Sequence, residues 1–167
     1  CYNNVPCVGH CHPRVVEALT EQATALNVHT RYLHETVVEY GERLTATLAD
    51  DLTMLFMTCT GTESNELALR MARKVTGKEG IICTNATYHG NSTAVHALST
   101  AFNKGEPCGP GVKAINFPDT YRPMEGLSGS ALTDALIAQL EATIAEFNDE
   151  GLGLAGLLVC PIFANEG

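Results

Sequence analysis

Apolar residues recur along this chain at two spacings. Val15, Val16, Leu19, Ala23 and Leu26 fall at steps of three and four, which predicts one face of a helix. Pro13 suits its first turn, where the missing N–H would have found no partner. Val37, Val38, Tyr40 and Leu44 carry the same spacing in a second helix beginning near Thr36, and Thr36 with Glu39 has the T-x-x-E form of a capping box. Leu67, Ala68, Met71, Ala72 and Val75 mark the apolar face of a third, with Gly77 as its stop. Leu132, Leu136, Leu140 and Ile144 step by four through a longer helix over residues 130–147.

Between these lie short, continuous apolar runs at 54–58, 80–86, 112–117 and 155–163. Runs of this length predict buried strands. Their alternation with helices predicts an α/β fold with a mainly parallel sheet flanked by helices. The stretch 103–111, rich in Gly and Pro, reads as a surface excursion rather than a domain linker.

Composition narrows the classes. The chain has 167 residues, 45% of them hydrophobic, enough for the core of one globular unit or a piece of a larger one. No apolar run approaches the ~18 to 20 residues that span a bilayer. The start, "CYNNVPCVGH", has no basic stretch leading into an apolar one, so no signal peptide is expected. It also lacks an initiator Met, which places the expected start upstream. A net charge of -9 with 10 scattered Lys and Arg argues against nucleic-acid binding, which needs a basic face. The seven cysteines are odd in number, and Cys83 and Cys160 sit in apolar runs. Reduced thiols and a cytoplasmic setting are the expectation.

Candidate chemistry begins with "CVGHCHP". A structural zinc site converges four ligands tetrahedrally, usually as two separated pairs. Cys7, His10, Cys11 and His12 are too crowded to do so, and no tight second pair follows. The stretch reads as a turn into the helix at Pro13, with no metal.

In parallel sheets, ligands collect beyond the carboxyl ends of strands. Two junctions qualify. In "TCTGTESNE", Gly61 reads as a tight turn, and the first amides of the next helix lack internal acceptors. A phosphate there would be held by those amides and by the hydroxyls of Thr60 and Thr62. Thr60-x-x-Glu63 is also a capping box, and the residues alone leave both roles open. In "NATYHGNS", Tyr88 offers a ring on which a planar heterocycle could stack, with His89 beside it. The alternative is that Tyr88 packs on the core and His89 caps or faces solvent. If strands 54–58 and 80–86 are parallel neighbours, both junctions face one edge, and a phosphorylated aromatic cofactor fits.

Three stretches, "YNNVPCVGHCHPRVVEAL", "TGTESNELALRMARKVTGK" and "ATYHGNS", together resemble the class III aminotransferases, of the fold type I group that uses pyridoxal 5′-phosphate. The likeness keeps family order over most of the chain and is weakest from 100 to 151. It implies a partial large, cofactor-binding domain over 51–167, preceded by an N-terminal helical segment over 1–50. It implies cofactor-binding roles for Thr60, Gly61, Thr62, Tyr88 and His89, and a substrate contact for Asn3. Residues 31–34 would line the mouth of the active site, in their own or a neighbouring subunit. The partners implied are a small amino donor, an oxo-acid acceptor and a second copy of the chain as a homodimer.

The family's chemistry also needs a lysine that joins the cofactor aldehyde and an aspartate on its ring nitrogen. Neither stands at a matching position. Lys74, Lys78, Lys104 and Lys113 read as solvated, and the missing pair is expected beyond Gly167. Cys160 stands where many members carry Glu, which a thiol cannot replace as an ionic partner at neutral pH. The resemblance implies amino transfer. It leaves open a phospholyase of the same family, or a fragment without activity.

Overall fold

The structure, a computed structural model, describes residues 6–29, 31–102, 108–163 and 165. Its contacts divide the chain into two units, Cys1–Met57 and Thr58–Gly167.

The first unit holds helices α1, Pro13–Ala25, and α2, Glu35–Thr45. Pro13 opens α1 as expected, and neither helix buries a residue. The cap expected for α2 does not form. Its N-cap is His34, extended at φ -138 and ψ 133, whose Nδ1 accepts the Thr36 N–H at 3.2 Å. Glu39 instead pairs with Arg43 one turn along, at 3.3 Å. The helix starts one residue earlier than Thr36, so the imidazole reaches the orphan amide first. Residues 54–58 are not a strand either: they are irregular, with Met54 84% and Phe56 63% exposed. An apolar run becomes a strand only where another strand takes its backbone hydrogen bonds.

The second unit runs α3 (Gly61–Thr76), β1 (Gly80–Thr84), α4 (Thr93–His96), β2 (Val112–Ile115), α5 (Gly129–Asp149) and β3 (Leu154–Leu158). The sheet order is β2-β1-β3, and both pairings are parallel. The expected α/β architecture with a parallel sheet is therefore present. Cys83 lies opposite Ala114 on one side and Leu158 on the other.

Central position explains why β1 is buried throughout. Successive side chains of a strand point to opposite faces. Ile81 and Cys83 accordingly pack with Leu69, Val95 and Leu98, whereas Ile82 packs with Ile115 and Phe147. Helices α3 and α4 thus cover one face and α5 the other. Gly77 ends α3 in the left-handed region, at φ 67 and ψ 18, as its sequence position predicts.

The inward face of α3 differs from the expected one. Leu69 is its buried residue, while Met71 is 46% and Val75 83% exposed. The face that turns in carries Thr62, Asn65, Glu66 and Leu69, at helical steps of three and four. Leu69 packs on the sheet, while Thr62, Asn65 and Glu66 meet polar groups of the loop after β1. Among the described residues, no helix is long and apolar enough to cross a membrane.

Candidate active site

The start of α3 is set by Thr60. It is extended, at φ -145 and ψ 158, and its Oγ1 accepts the Glu63 N–H at 3.1 Å. Its carbonyl accepts the Ser64 N–H at 3.1 Å. The Glu63 carboxylate reaches back to the Cys59 N–H at 2.7 Å. The capping box is therefore formed, displaced by one residue at its return bond. Two amides remain, those of Gly61 and Thr62, which helix geometry leaves without an internal acceptor.

Gly61 is not the hinge expected of it. It is helical, and the direction change is made by extended Thr60. A Cβ at Gly61 would meet nothing within 4 Å, so the side-chain side of Gly61 is open space. The two amides stand at the positive end of a 16-residue helix, which favours a small anion.

The loop after β1 lies on the same turn. Gly90 sits at φ +145, and a Cβ there would stand 2.5 Å from Thr62 Oγ1. Both the backbone angle and the close approach require glycine. The Asn91 N–H donates to Thr62 Oγ1 at 3.3 Å, leaving the hydroxyl hydrogen able to donate elsewhere. Asn65 Nδ2 donates to the His89 carbonyl at 2.8 Å, and Ser92 donates to the Glu66 carboxylate at 2.9 Å. The His89 N–H donates to Ser99 Oγ at 3.0 Å, and its ring Nε2 lies 3.2 Å from Thr87 Oγ1.

Tyr88 remains 38% exposed, so its ring is not a core residue. The structure thus gathers Thr60, Gly61, Thr62, Tyr88 and His89 around one helix start. It does so by a different route from the one expected. Strand 54–58 is absent, and the two junctions meet because 89–92 lies across the first turns of α3. Asn3 falls outside the described residues. Sequence reasoning missed Asn65, Glu66 and Ser99. The signal available for the first two was their shared helical face with Thr62 and Leu69.

Cys83 is buried in β1, and burial together with the Cys108 thiol pushes it up to about 12, so it stays a neutral thiol. Lys74 and Lys78 are exposed, as expected, and Lys104 lies outside the described residues. Lys113 is not a free surface lysine. Its Nζ donates to Glu146 at 2.7 Å and Glu150 at 2.6 Å, and lies 5.2 Å from the Phe147 ring centroid. Cys160 is a half-buried free thiol.

A sequence model of the family described as "Aminotransferase class-III" matches residues 3–167. This chain belongs to the class III aminotransferases. Among curated relatives, an alanine–glyoxylate aminotransferase 2-like protein of Drosophila melanogaster is 37% identical over 124 residues, 72% of this chain and 25% of that protein. Ethanolamine-phosphate phospho-lyase homolog 1 of Caenorhabditis elegans is 34% identical over 137 residues, 80% of this chain and 29% of that protein. Among solved structures, a phospholyase from Arthrobacter in complex with phosphoethanolamine superposes with a TM-score of 0.85 at 40% identity, over 97% of this chain and 38% of that one. A taurine:2-oxoglutarate aminotransferase from Bifidobacterium kashiwanohense, in complex with PLP and glutamate, gives 0.73 at 26%, over 90% and 35%. This class III chain thus spans roughly a quarter to two-fifths of the relatives it matches. Pyridoxal 5′-phosphate is the cofactor of the family.

Proposed function

We propose that this chain is the phosphate- and ring-holding part of a pyridoxal-phosphate enzyme that acts on a small primary amine, with amino transfer to an oxo acid as its reaction. The observation that carries this reading is the open space at Gly61, in a helix start with two amides lacking an internal acceptor, with Tyr88 held on the adjoining loop. The Gly61 and Thr62 N–H groups and the Thr62 hydroxyl would hold the phosphate, and Thr60 would shape the cup by capping the helix. Tyr88 would cover one face of the ring. The His89 backbone, tied to Asn65 and Ser99, would keep that ring in place.

The cofactor, when bound, supplies an aldehyde for the amine and a ring that takes up electrons from the carbon bearing it. This chain's contribution is to anchor and orient. Glu63 closes the cap, its carboxylate accepting the Cys59 N–H.

A second reading, loss of inorganic phosphate from a phosphorylated amino alcohol, has its own support. The likeness to the Arthrobacter phospholyase, at 40% over 97% of the chain, exceeds that to the taurine aminotransferase at 26% over 90%.

The test uses the full-length protein loaded with pyridoxal phosphate. Uptake should give a visible cofactor band, and Thr62→Val should weaken uptake by about 1 to 3 kcal/mol, the worth of a hydrogen bond to a charged group. Unchanged affinity would remove the phosphate assignment. Phosphoethanolamine and an amine with an oxo acid are then supplied in parallel. Phosphate release marks the lyase, and amino transfer without it marks the transaminase. A homodimer and a cytoplasmic setting stand as part of the same proposal, checked by sedimentation and by fractionation.

A further inference from the structure

Tyr88 is 38% exposed. The residues on either side of it are held by their backbones. The Thr87 N–H donates to Thr100 Oγ1 at 3.1 Å, and that hydroxyl donates to the Thr84 carbonyl at 2.9 Å. On the other side, the His89 N–H goes to Ser99 Oγ at 3.0 Å and the His89 carbonyl accepts from Asn65 at 2.8 Å. Ser99 is fully buried, with its Oγ 3.3 Å from both the Gly90 and Val95 carbonyls, so its position is set by α4 and the loop it serves.

Asn65 does something Ser99 does not. It stands one turn into α3, the helix whose first amides lack an internal acceptor. Its bond to His89 ties the loop bearing Tyr88 to the helix bearing those amides. A rigid ligand with a flat ring at one end and an anion at the other needs those two parts at a fixed separation.

Resting on the cofactor-site reading above, we propose that Asn65 is a positioning residue for Tyr88, setting the ring-covering tyrosine relative to the phosphate-facing helix start, with Ser99 as its counterpart on the other side of the His89 backbone. Asn65 acts through the His89 carbonyl.

The experiment compares pyridoxal 5′-phosphate with phosphate-free pyridoxal on the full-length protein. Asn65→Ala keeps a good helix former in α3. It should weaken both ligands by the same factor, about 3- to 10-fold for one lost hydrogen bond. It should also reduce the circular dichroism of the bound cofactor's visible band. Competition by inorganic phosphate should be unchanged. Ser99→Ala, read by the same ratio, serves where Asn65→Ala yields too little folded protein, and should also weaken both ligands alike. Pyridoxal affinity left at the wild-type value, whatever the melting temperature does, overturns the proposal. So does a loss confined to the phosphorylated ligand, which would make Asn65 a support of the helix start alone. A wild-type protein that takes up no pyridoxal phosphate would overturn the cofactor reading and this one together. Normal uptake with indifferent Asn65→Ala overturns only this one.

Discussion

Helices α1 and α2 and strand β1 are all built from apolar residues at regular spacing, yet they meet opposite fates. Leu19 is 68% and Tyr40 54% exposed, and neither helix buries a residue. Every residue of β1 is buried. The helices satisfy their backbones internally, so they can exist wherever the periodic pattern occurs. A strand must borrow hydrogen bonds from neighbours, and β1 has one on each side and helices on both faces. Periodicity therefore makes a helix locally, while burial is conferred by whatever the rest of the chain brings to it. The stretch 54–58 shows the converse: an apolar run with no strand formed.

The largest expected effect tests that contrast directly. Phe147, fully buried under β1, should cost about 3 to 5 kcal/mol when changed to Ala, read by urea denaturation. Leu19→Ala should stay within about 0.5 kcal/mol. Equal costs would break the comparison by showing that α1 is covered in solution.

Two glycines sharpen it next. Gly90→Ala forces a side chain into the left-handed region and against Thr62, and should cost about 2 to 4 kcal/mol together with cofactor retention. Gly61→Ala meets only open space and a helical backbone, so stability should hold or rise by about 0.5 kcal/mol. Cofactor affinity should nonetheless fall, because the methyl group occupies the space assigned to phosphate. A Gly61→Ala protein with unaltered affinity would empty that assignment.

Amide exchange gives a graded version. The Ile82 and Cys83 amides should be among the slowest, and those of α1 and α2 should exchange with the low opening energies of an uncovered element. Protection of α1 equal to that of β1 would contradict the division.

The smallest effects are electrostatic. Hydrogen bonds that Lys113 donates to Glu146 and Glu150 raise it above its ordinary 10.5. That contribution is present below the unfolded value and disappears as pH climbs through the folded one. Lys113→Met should therefore lower stability at neutral pH, with the difference closing in alkali above 10.5. Asp119 runs the other way. The Arg122 and Tyr121 amides, with the Arg122 guanidinium, hold it below its ordinary 3.8, so its contribution is lost as pH falls through the lower value. Asp119→Asn should flatten the acid limb of the stability curve.

Much of this was legible in the residues. The cap at Thr60, the stop at Gly77, the proline start of α1 and three of the four strands follow from local spacing and side-chain chemistry. The gathering of Thr62 and Tyr88 was reached from the residues through a strand at 54–58 that does not form, and from the family resemblance. Its actual cause, Gly90 seated on Thr62 and Asn65 bonded to His89, joins residues 24 or more positions apart.

What the sequence by itself determined is the start of α1 at Pro13, the cap and stop of α3 at Thr60 and Gly77, which runs are apolar, and the family. Caps and periodicity act over a few residues, so a short window contains their causes. Only the tertiary structure decided that Thr62, Asn65 and Glu66 of α3 turn toward the loop after β1, that 54–58 stays irregular and that Gly61 leaves space rather than bending the chain. Each of these depends on which distant backbone arrives with unmet hydrogen bonds, and no local pattern encodes that arrival.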